Sequence, residues 1–259
     1  MPSPLTRRRA AVIALLALLP VAVLAAAFVF RPTGPAPAVW VTPTSPPAPP
    51  PLMLARYGFD GPRPWDDASR FGHHLTPFGG NRARPRRVPH DGGRAVQFPP
   101  PCEREPCPRL ILRALSRPAL NPGDAPFSYG ATVRLAARHT TDGQNVLQKG
   151  YAAEGSQYKL QIDGLPGHPS CVMRGEDSRV IHVAVAPIGV ADGTWHRLEC
   201  RRTRTDLILF VDGSPHAAVR IPATLRVDNA MSFNVGGKSA HAHNDQFHGA
   251  VDDIFLSQP

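Results

Sequence analysis

The chain has 259 residues, of which 42% are hydrophobic, and a formal net charge of +9. This is long enough for one large or two small domains, with enough apolar residues for a core. The charge alone would fit nucleic-acid binding. However, only three of the 29 basic residues are lysines, and three arginines belong to an apolar N-terminal signal, so we expect no nucleic-acid partner. The densest basic patch, residues 81–94, is typical of a solvated loop, with contact to an acidic surface polymer as the alternative.

The N-terminus carries a membrane-directed signal. Residues 1–9 form a basic tail that ends in three arginines, and residues 10–30 follow as 21 residues without a charge. A basic flank retains the N-terminus in the cytoplasm, and ~20 apolar residues span a bilayer. We therefore predict a single-pass transmembrane signal-anchor over residues 10–30. The alternative is a cleaved signal peptide, with Ala25, Ala26 and Ala27 as the cleavage site and a secreted product.

A proline-rich segment follows over residues 31–51. Such a run cannot bury a core and favours extended polyproline II, so we interpret it as a linker. It separates the membrane segment from residues 52–259, which we predict to form the folded domain. The domain is thus expected on the cell membrane, outside the cytoplasm.

From residue 54 onward the pattern is one of short strands separated by turns rich in Pro, Gly, Asn and Asp. Tyr158, Leu160 and Ile162 alternate with polar residues, as in a half-buried strand. Leu207 to Val211 is apolar on both faces, which predicts a central strand. The remaining strands are predicted at residues 94–98, 109–115, 127–135, 145–150, 180–186, 216–221, 231–237 and 247–256. These elements predict an all-β fold, a two-sheet antiparallel jelly-roll sandwich.

The stretch DGTWHRLECRRTRTDLILFVDG, residues 192–213, predicts a β-hairpin with a DG turn at each end. On its first strand, Trp195 and His196 must point to opposite faces. We expect the indole of Trp195 to pack in the core or along the sheet edge.

Four cysteines in an exported chain predict disulfide bonds. Three connectivities are possible, and proximity in the sequence favours Cys102 with Cys107 and Cys171 with Cys200. A zinc site is the alternative, but these spacings fit zinc poorly.

The order of eight motifs resembles the laminin G-like branch of the concanavalin A-like lectin/glucanase superfamily. The motifs are YGFDG (57–61), GGRAVQF (92–98), PFSYGATVRL (126–135), NVLQKG (145–150), DGTWHRLEC (192–200), LILFVDG (207–213), FNVGG (233–237) and FHGAVDDIFL (247–256). The resemblance implies a jelly-roll domain outside the cell that binds carbohydrate or protein. It also implies the Cys171–Cys200 pair, as in exported bacterial members.

Some members of this family bind Ca²⁺ through aspartates and backbone carbonyls. The matching residues here are Asp60 and either Asp252 or Asp253, which makes Ca²⁺ a possible cofactor. Because Asp252 and Asp253 are adjacent on a strand, we expect them to face opposite sides. The alternative is that these aspartates only cap neighbouring backbone groups.

The sequence gives no support for catalysis. Glycoside hydrolases of this superfamily carry an E-x-D-x-x-E motif, and none of the five glutamates stands in that pattern. A G-x-S-x-G elbow is also missing. We therefore predict a non-catalytic domain that binds a cell-surface or extracellular glycan or protein. A structural or assembly domain is the alternative, and an enzyme with an unrecognised site is the third interpretation.

Overall fold

The computed structural model describes residues 49–259, which form fifteen β-strands and two short 3₁₀ helices, Pro118–Leu120 and Ala137–His139. No helix within this range is long and apolar enough to span a membrane. The basic tail, the apolar segment and most of the proline-rich linker lie outside the described residues. Their assignment, and the division into domains, stay predictions.

The strands form two sheets. Sheet A consists of β1 (Leu52–Tyr57), β3 (Arg86–His90), β4 (Gly93–Gln97), β6 (Phe127–Ala136), β11 (Asp192–Arg202), β12 (Asp206–Val211), β13 (Ser214–Arg220) and β15 (Ala250–Gln258). Sheet B consists of β2 (Thr76–Gly80), β5 (Arg109–Ala114), β7 (Gln144–Gly150), β8 (Gln157–Asp163), β9 (His168–Arg174), β10 (His182–Val185) and β14 (Phe233–Val235). The prediction of an all-β sandwich is confirmed.

Every strand pairing in the described chain is antiparallel. The order in sheet A is β13-β12-β11-β6-β15-β4-β3, and β1 also pairs with β15. The order in sheet B is β10-β9-β8-β7-β14-β5-β2. Strand β6 therefore lies between β11 and β15, although both follow it late in the chain.

Strict alternation of side chains on β6 explains how the sandwich forms. The inward residues of this strand are fully or almost fully buried: Phe127, Tyr129, Ala131, Val133 and Leu135. Ser128, Thr132 and Arg134 point to the opposite face and are half-buried. Since successive side chains of a strand face opposite sides, this sequence places one apolar face against sheet B.

Three aromatic rings fill the middle of the core. The ring centroids of Phe127, Tyr129 and Tyr158 lie 5.0 to 5.4 Å apart. The buried hydroxyls donate to backbone carbonyls, from Tyr129 to Lys159 at 3.3 Å and from Tyr158 to Leu120 at 3.2 Å. Because each phenol has an acceptor, the rings are buried without leaving an unpaired polar group.

Two disulfide bonds join the two pairs of cysteines that the sequence favours. Cys102 and Cys107 close an exposed loop between β4 and β5. Cys171 of β9 and Cys200 of β11 are fully buried, so this bond joins sheet B to sheet A through the core. A cross-link between the sheets restricts the unfolded chain while it adds apolar contact in the folded one.

Three local predictions were wrong or incomplete. The basic patch is not only a loop, because Arg86–His90 forms strand β3 and pairs with β4. The apolar strand β12 is not central: it lies next to the edge strand β13, and Ile208 and Phe210 are on its outer, half-exposed side. The strands β2 and β9 were not predicted, because Gly and Pro within them hide the alternation.

A lysine lies in the interior at one end of sheet B. Lys149 of β7 is fully buried, and its Nζ donates to Ser116 Oγ, the main-chain and side-chain oxygens of Asn229, and the Met231 carbonyl, at 2.6 to 3.0 Å. None of these acceptors is charged. Burial therefore lowers the pKa of Lys149 to about 8, although the negative charge of Asp228 acts in the opposite direction.

We expect the double variant Cys171→Ala/Cys200→Ala to lose roughly 3 to 4 kcal/mol of unfolding free energy on the chain-entropy relation. Denaturant unfolding monitored by circular dichroism measures this loss. The control is Cys102→Ala/Cys107→Ala, which opens a loop with a sequence separation of 5 instead of 29 and should lose less. An equal loss in both variants would contradict the role of the inter-sheet bond.

The buried ammonium predicts a specific pH dependence. Below a pH of about 8, Lys149 is charged in both states and its burial costs stability. Between about 8 and its ordinary value of 10.5, only the unfolded state stays protonated, so stability relative to Lys149→Met rises with pH. Unfolding free energies of both proteins, measured from pH 7 to 10.5, test this. A constant difference across that range would show that the lysine keeps an ordinary pKa.

Candidate functional site

The face of β11 that points away from the core carries charge. Because Leu198 and Cys200 are buried inside the sandwich, the alternating residues Arg197, Glu199 and Arg201 lie on the outer face of sheet A. The inward position of Cys200 therefore determines which side chains of this strand meet solvent.

A groove with a volume of about 700 Å³ crosses this outer face, and we call it the sheet A groove. Its charged lining, apart from the buried Arg202, consists of Arg56, Arg197, Glu199, Arg201, Arg204 and Asp253. Phe255, Met53 and three prolines provide apolar surface between these groups. The volume lies within the range of ~300 to 1,000 Å³ that is usual for ligand-binding clefts.

Phe255 forms part of this surface because the residue beside it is a glycine. Phe255 pairs with Gly130 across β15 and β6. A Cβ atom at Gly130 would lie 2.7 Å from the Phe255 ring and 2.2 Å from the Leu198 carbonyl oxygen. The missing side chain thus lets the ring lie close to the sheet, where only 8% of Phe255 is exposed.

Arginines cover the aromatic rings of this face. The Cζ atom of Arg197 lies 4.8 Å from the ring centroid of Phe255, and that of Arg201 lies 4.3 Å from Phe210. Arg201 also donates to Glu199 Oε1 from Nε at 3.0 Å and from Nη2 at 2.8 Å. Stacking on a ring attracts a guanidinium and orients it, while its edge stays available for other contacts.

Three arginines of the sheet A groove have no acidic partner in the described chain. Across residues 49–259, the guanidinium groups of Arg56, Arg197 and Arg204 make no hydrogen bond and no ion pair, and all three residues are exposed. The sheet A groove therefore presents more positive charge than its own carboxylates neutralise.

A second group of side chains, which we call the hairpin cluster, covers one part of the outer face of sheet A. The tip of the β3–β4 hairpin folds over sheet A, and His90 Nδ1 lies 2.6 Å from Asp252 Oδ2. The His90 ring is 3.8 Å from the Trp195 ring, whose other neighbour is the Arg134 guanidinium at 4.9 Å. Trp195 is therefore on the outer face of sheet A, and the expectation that it packs in the core or along the edge was wrong.

Asp252 and Asp253 do not face opposite sides. Asp253 has a φ of 45°, and the pairing of β15 with β6 shifts register after Asp252. This bulge turns both carboxylates toward His90, and single ligand atoms of the three residues lie within 4.8 Å of one another. Although His90 donates toward it, burial raises the pKa of Asp252.

The third aspartate of the calcium prediction lies apart from this group. Asp60 Oδ1 accepts from the Arg94 backbone N–H at 2.7 Å. Calcium takes six to eight oxygen ligands, whereas His90 would contribute a nitrogen and Asp252 is already paired with it. As arranged, these residues do not fit a calcium ion, and calcium binding stays a prediction.

His196 lies on the face opposite to Trp195, as expected from the alternation. Its Nδ1 is 2.8 Å from Asp212 Oδ2 and its Nε2 is 3.3 Å from Asp192 Oδ1, so it links the two DG turns. Burial opposes protonation, but the hydrogen bonds to both aspartates raise the pKa of His196 overall. Its contacts therefore hold the ends of β11 and β12 together.

The sheet A groove was not among the sites predicted from the sequence. One pattern on β11 could have indicated it, because polar or aromatic outward residues alternate there with inward ones. The outward residues are Trp195, Arg197, Glu199 and Arg201. The other members come from the N-terminal and C-terminal strands, far away in the sequence. Only the sheet order brings β1, β15, β6 and β11 side by side.

Comparison with known proteins agrees with this architecture. The family model described as "Laminin G domain" matches residues 146–258, which include β11 and β15. Residues 146–258 are therefore similar to laminin G domains, and we call residues 49–259 the laminin G-like domain on the basis of this similarity. No curated protein sequence matches the chain.

Three solved structures are similar to the laminin G-like domain. Domain 4 of AbnA, a GH43 extracellular arabinanase from Geobacillus stearothermophilus in complex with arabinotriose, has a TM-score of 0.62 and 12% identity over 80% of this chain and 93% of that one. The binding domain of Paraclostridial Mosquitocidal Protein 1 has a TM-score of 0.61 and 11% identity over 80% of this chain and 49% of that one. A structure of botulinum neurotoxin type C, whose cell entry depends on interaction with two ganglioside molecules, has a TM-score of 0.55 and 8% identity.

The neurotoxin match covers 80% of this chain and 47% of that one, so the chain spans about half the length of either toxin structure. At these identities the likeness concerns the fold alone. It does, however, place the laminin G-like domain among jelly-roll domains.

The contacts of His90 predict that it anchors the hairpin tip. In His90→Ala, the amides of residues 91–94 should exchange with solvent about tenfold faster or more, because the hairpin loses its contacts to Trp195 and Asp252. Hydrogen exchange followed by mass spectrometry measures this. His241→Ala, in an exposed loop, is the control and should leave the hairpin unchanged. Unchanged exchange in His90→Ala would mean that backbone pairing alone holds the tip.

Proposed function

We propose that the laminin G-like domain is a non-catalytic binding domain that recognises a glycan or a protein outside the cytoplasm. The observation that carries this proposal is the sheet A groove, in which exposed guanidinium groups without acidic partners lie between apolar surfaces. Concave surfaces of this size with a few oriented polar groups are the usual form of a binding site.

The carboxylates of the sheet A groove favour binding over catalysis. Glu199 accepts two hydrogen bonds from Arg201, which orient its carboxylate and occupy one of its oxygens. A glycoside hydrolase needs two carboxyl groups on either side of the scissile bond, one of them a proton donor. The E-x-D-x-x-E motif that would supply them is missing from the sequence. The AbnA domain bound to arabinotriose supports a saccharide as one class of ligand.

We further propose that the domain is presented at the outer face of the cell membrane. The apolar residues 10–30, the preceding arginines and the proline-rich residues 31–51 support a tethered arrangement. A secreted domain released by cleavage is the alternative. Both arrangements place the disulfide bonds in an oxidising environment, where such bonds persist.

A structural or assembly role is the second candidate, and one observation favours it. Apolar side chains are exposed on and around the edge strand β10: Leu165, Val180, Ile181, Val183, Val185 and Ile188. Leu165 is 78% exposed and Val185 is 52% exposed. Apolar surface of this kind often marks a contact with another protein.

An array of immobilised glycans, probed with the purified full chain in detergent, tests the leading candidate. We expect specific binding to a subset of saccharides, and the comparison of buffers with and without calcium tests the calcium prediction separately. The control variant Val183→Ser/Val185→Ser should bind the same glycans, because β10 belongs to sheet B.

Two results would favour the assembly role instead. One is the lack of glycan binding in both buffers. The other is concentration-dependent self-association, measured by analytical ultracentrifugation, that the β10 variant abolishes.

A further inference from the structure

The aromatic rings around the sheet A groove are not free to receive a sugar. The Phe255 ring is covered by Arg197, and the Phe210 ring is covered by Arg201. Trp195 lies between His90 and Arg134. Neutral saccharides are commonly held by stacking on an open aromatic face, but this surface presents cations where those faces would be.

The positive charge of the sheet A groove exceeds its negative charge. Four exposed arginines line it, whereas its carboxylates are Glu199 and Asp253. Glu199 is already paired with Arg201, and Arg56, Arg197 and Arg204 have no carboxylate partner among residues 49–259. The planar guanidinium fork matches a carboxylate in two parallel hydrogen bonds. The ring beneath Arg197 limits its motion, so little further ordering is needed when an anion binds.

Hydroxyl and carboxylate groups lie between the arginines. Ser128 and Ser257 line the sheet A groove, and their hydroxyls form no hydrogen bond in the described chain. Together with Asp253 and Glu199, they can accept hydrogen bonds from the hydroxyls of a ligand. The surface therefore offers partners for acidic groups and for neighbouring hydroxyl groups at the same time.

The position of the sheet A groove disfavours an extended peptide. Peptides often bind by adding a strand to a free sheet edge, where backbone groups are unpaired. Here β15 is paired with β1 and with β6, and β6 is also paired with β11. A ligand in this groove thus meets side chains and not an open backbone edge.

We propose that the sheet A groove binds a saccharide chain that carries carboxylate groups, with Arg197 and Arg56 as principal carboxylate-binding residues. This rests on the proposed binding function and specifies its ligand class. Arg201 donates two hydrogen bonds to Glu199 and so orients its carboxylate, which accepts hydrogen bonds from the hydroxyls of the ligand. The apolar surface of Met53 contacts the carbon face of the saccharide.

The test compares three probes with the full chain in detergent by isothermal titration calorimetry. The first is a short oligogalacturonate, the second is the same oligosaccharide with every carboxylate methyl-esterified, and the third is a vesicle of phosphatidylglycerol. We expect the oligogalacturonate to bind, with an affinity that falls as salt is raised, because the attraction is between exposed charges. The ester should bind at least about tenfold more weakly, since charged hydrogen bonds are lost.

Matched variants locate the site. Arg197→Gln and Arg56→Gln should each weaken oligogalacturonate binding about fivefold to tenfold, and Arg197→Lys, which keeps the charge but not the fork, should fall between them and the parent chain. The control is Arg179→Gln, an exposed arginine on the β9–β10 loop of sheet B that does not line the groove. Thermal melts identify any variant that has lost its fold. If Arg197→Gln does not fold, Arg197→Lys tests the same position.

The possible failures are distinguishable. If the ester binds as tightly as the acid, the carboxylate assignment is overturned while saccharide binding stands. Equal loss in Arg179→Gln and Arg197→Gln would overturn the location. Binding to the vesicle but not to the oligogalacturonate would overturn the ligand class. If neither oligosaccharide binds and the glycan array is also negative, the proposed glycan-binding function itself fails.

Discussion

The disulfide bond between Cys171 and Cys200 is the constraint on which both faces of sheet A depend. It joins β9 to β11 across the core, so Cys200 must point inward. Because strand side chains alternate, Arg197, Glu199 and Arg201 must then point outward. A shift of one residue would exchange the two sets and bury three charged groups. The bond thus holds the same register as the strand pairing of β11, which gives sheet A an apolar inner face and a charged outer face.

The ends of β7 and β11 show how the fold accommodates buried charge. Arg202 is an inward residue of β11 with 1% exposure, and it donates to the carbonyls of Gly123 at 2.8 Å and Leu225 at 2.6 Å. Lys149, from the opposite sheet, donates to Asn229 and Met231. Burial lowers the pKa of both groups. Two cations from different sheets therefore hold the same end of the sandwich by binding backbone oxygens of its loops, without a carboxylate partner in the described chain.

The range of the interactions involved decides which elements of the fold could be predicted from the sequence. Alternation within a strand is local, so β6, β8 and β11 could be predicted from their residues. The bulge at Asp253 breaks the alternation through a backbone conformation that no neighbouring residue signals, and the two-sided prediction for Asp252 and Asp253 failed there. The β3–β4 hairpin meets Trp195 more than one hundred residues later in the chain, as the pairing of His90 with Trp195 shows. Such contacts depend on the sheet order, which strand patterns alone do not determine.

The bulge also connects the two features of the outer face. Asp252 is held by His90 in the hairpin cluster, while Asp253, the next residue, lines the sheet A groove. The backbone N–H of Asp253 donates to Asp252 Oδ1 at 2.8 Å, so the position of one carboxylate fixes the conformation that presents the other. Through Asp252, the contacts of the hairpin tip therefore extend to the carboxylate that lines the sheet A groove.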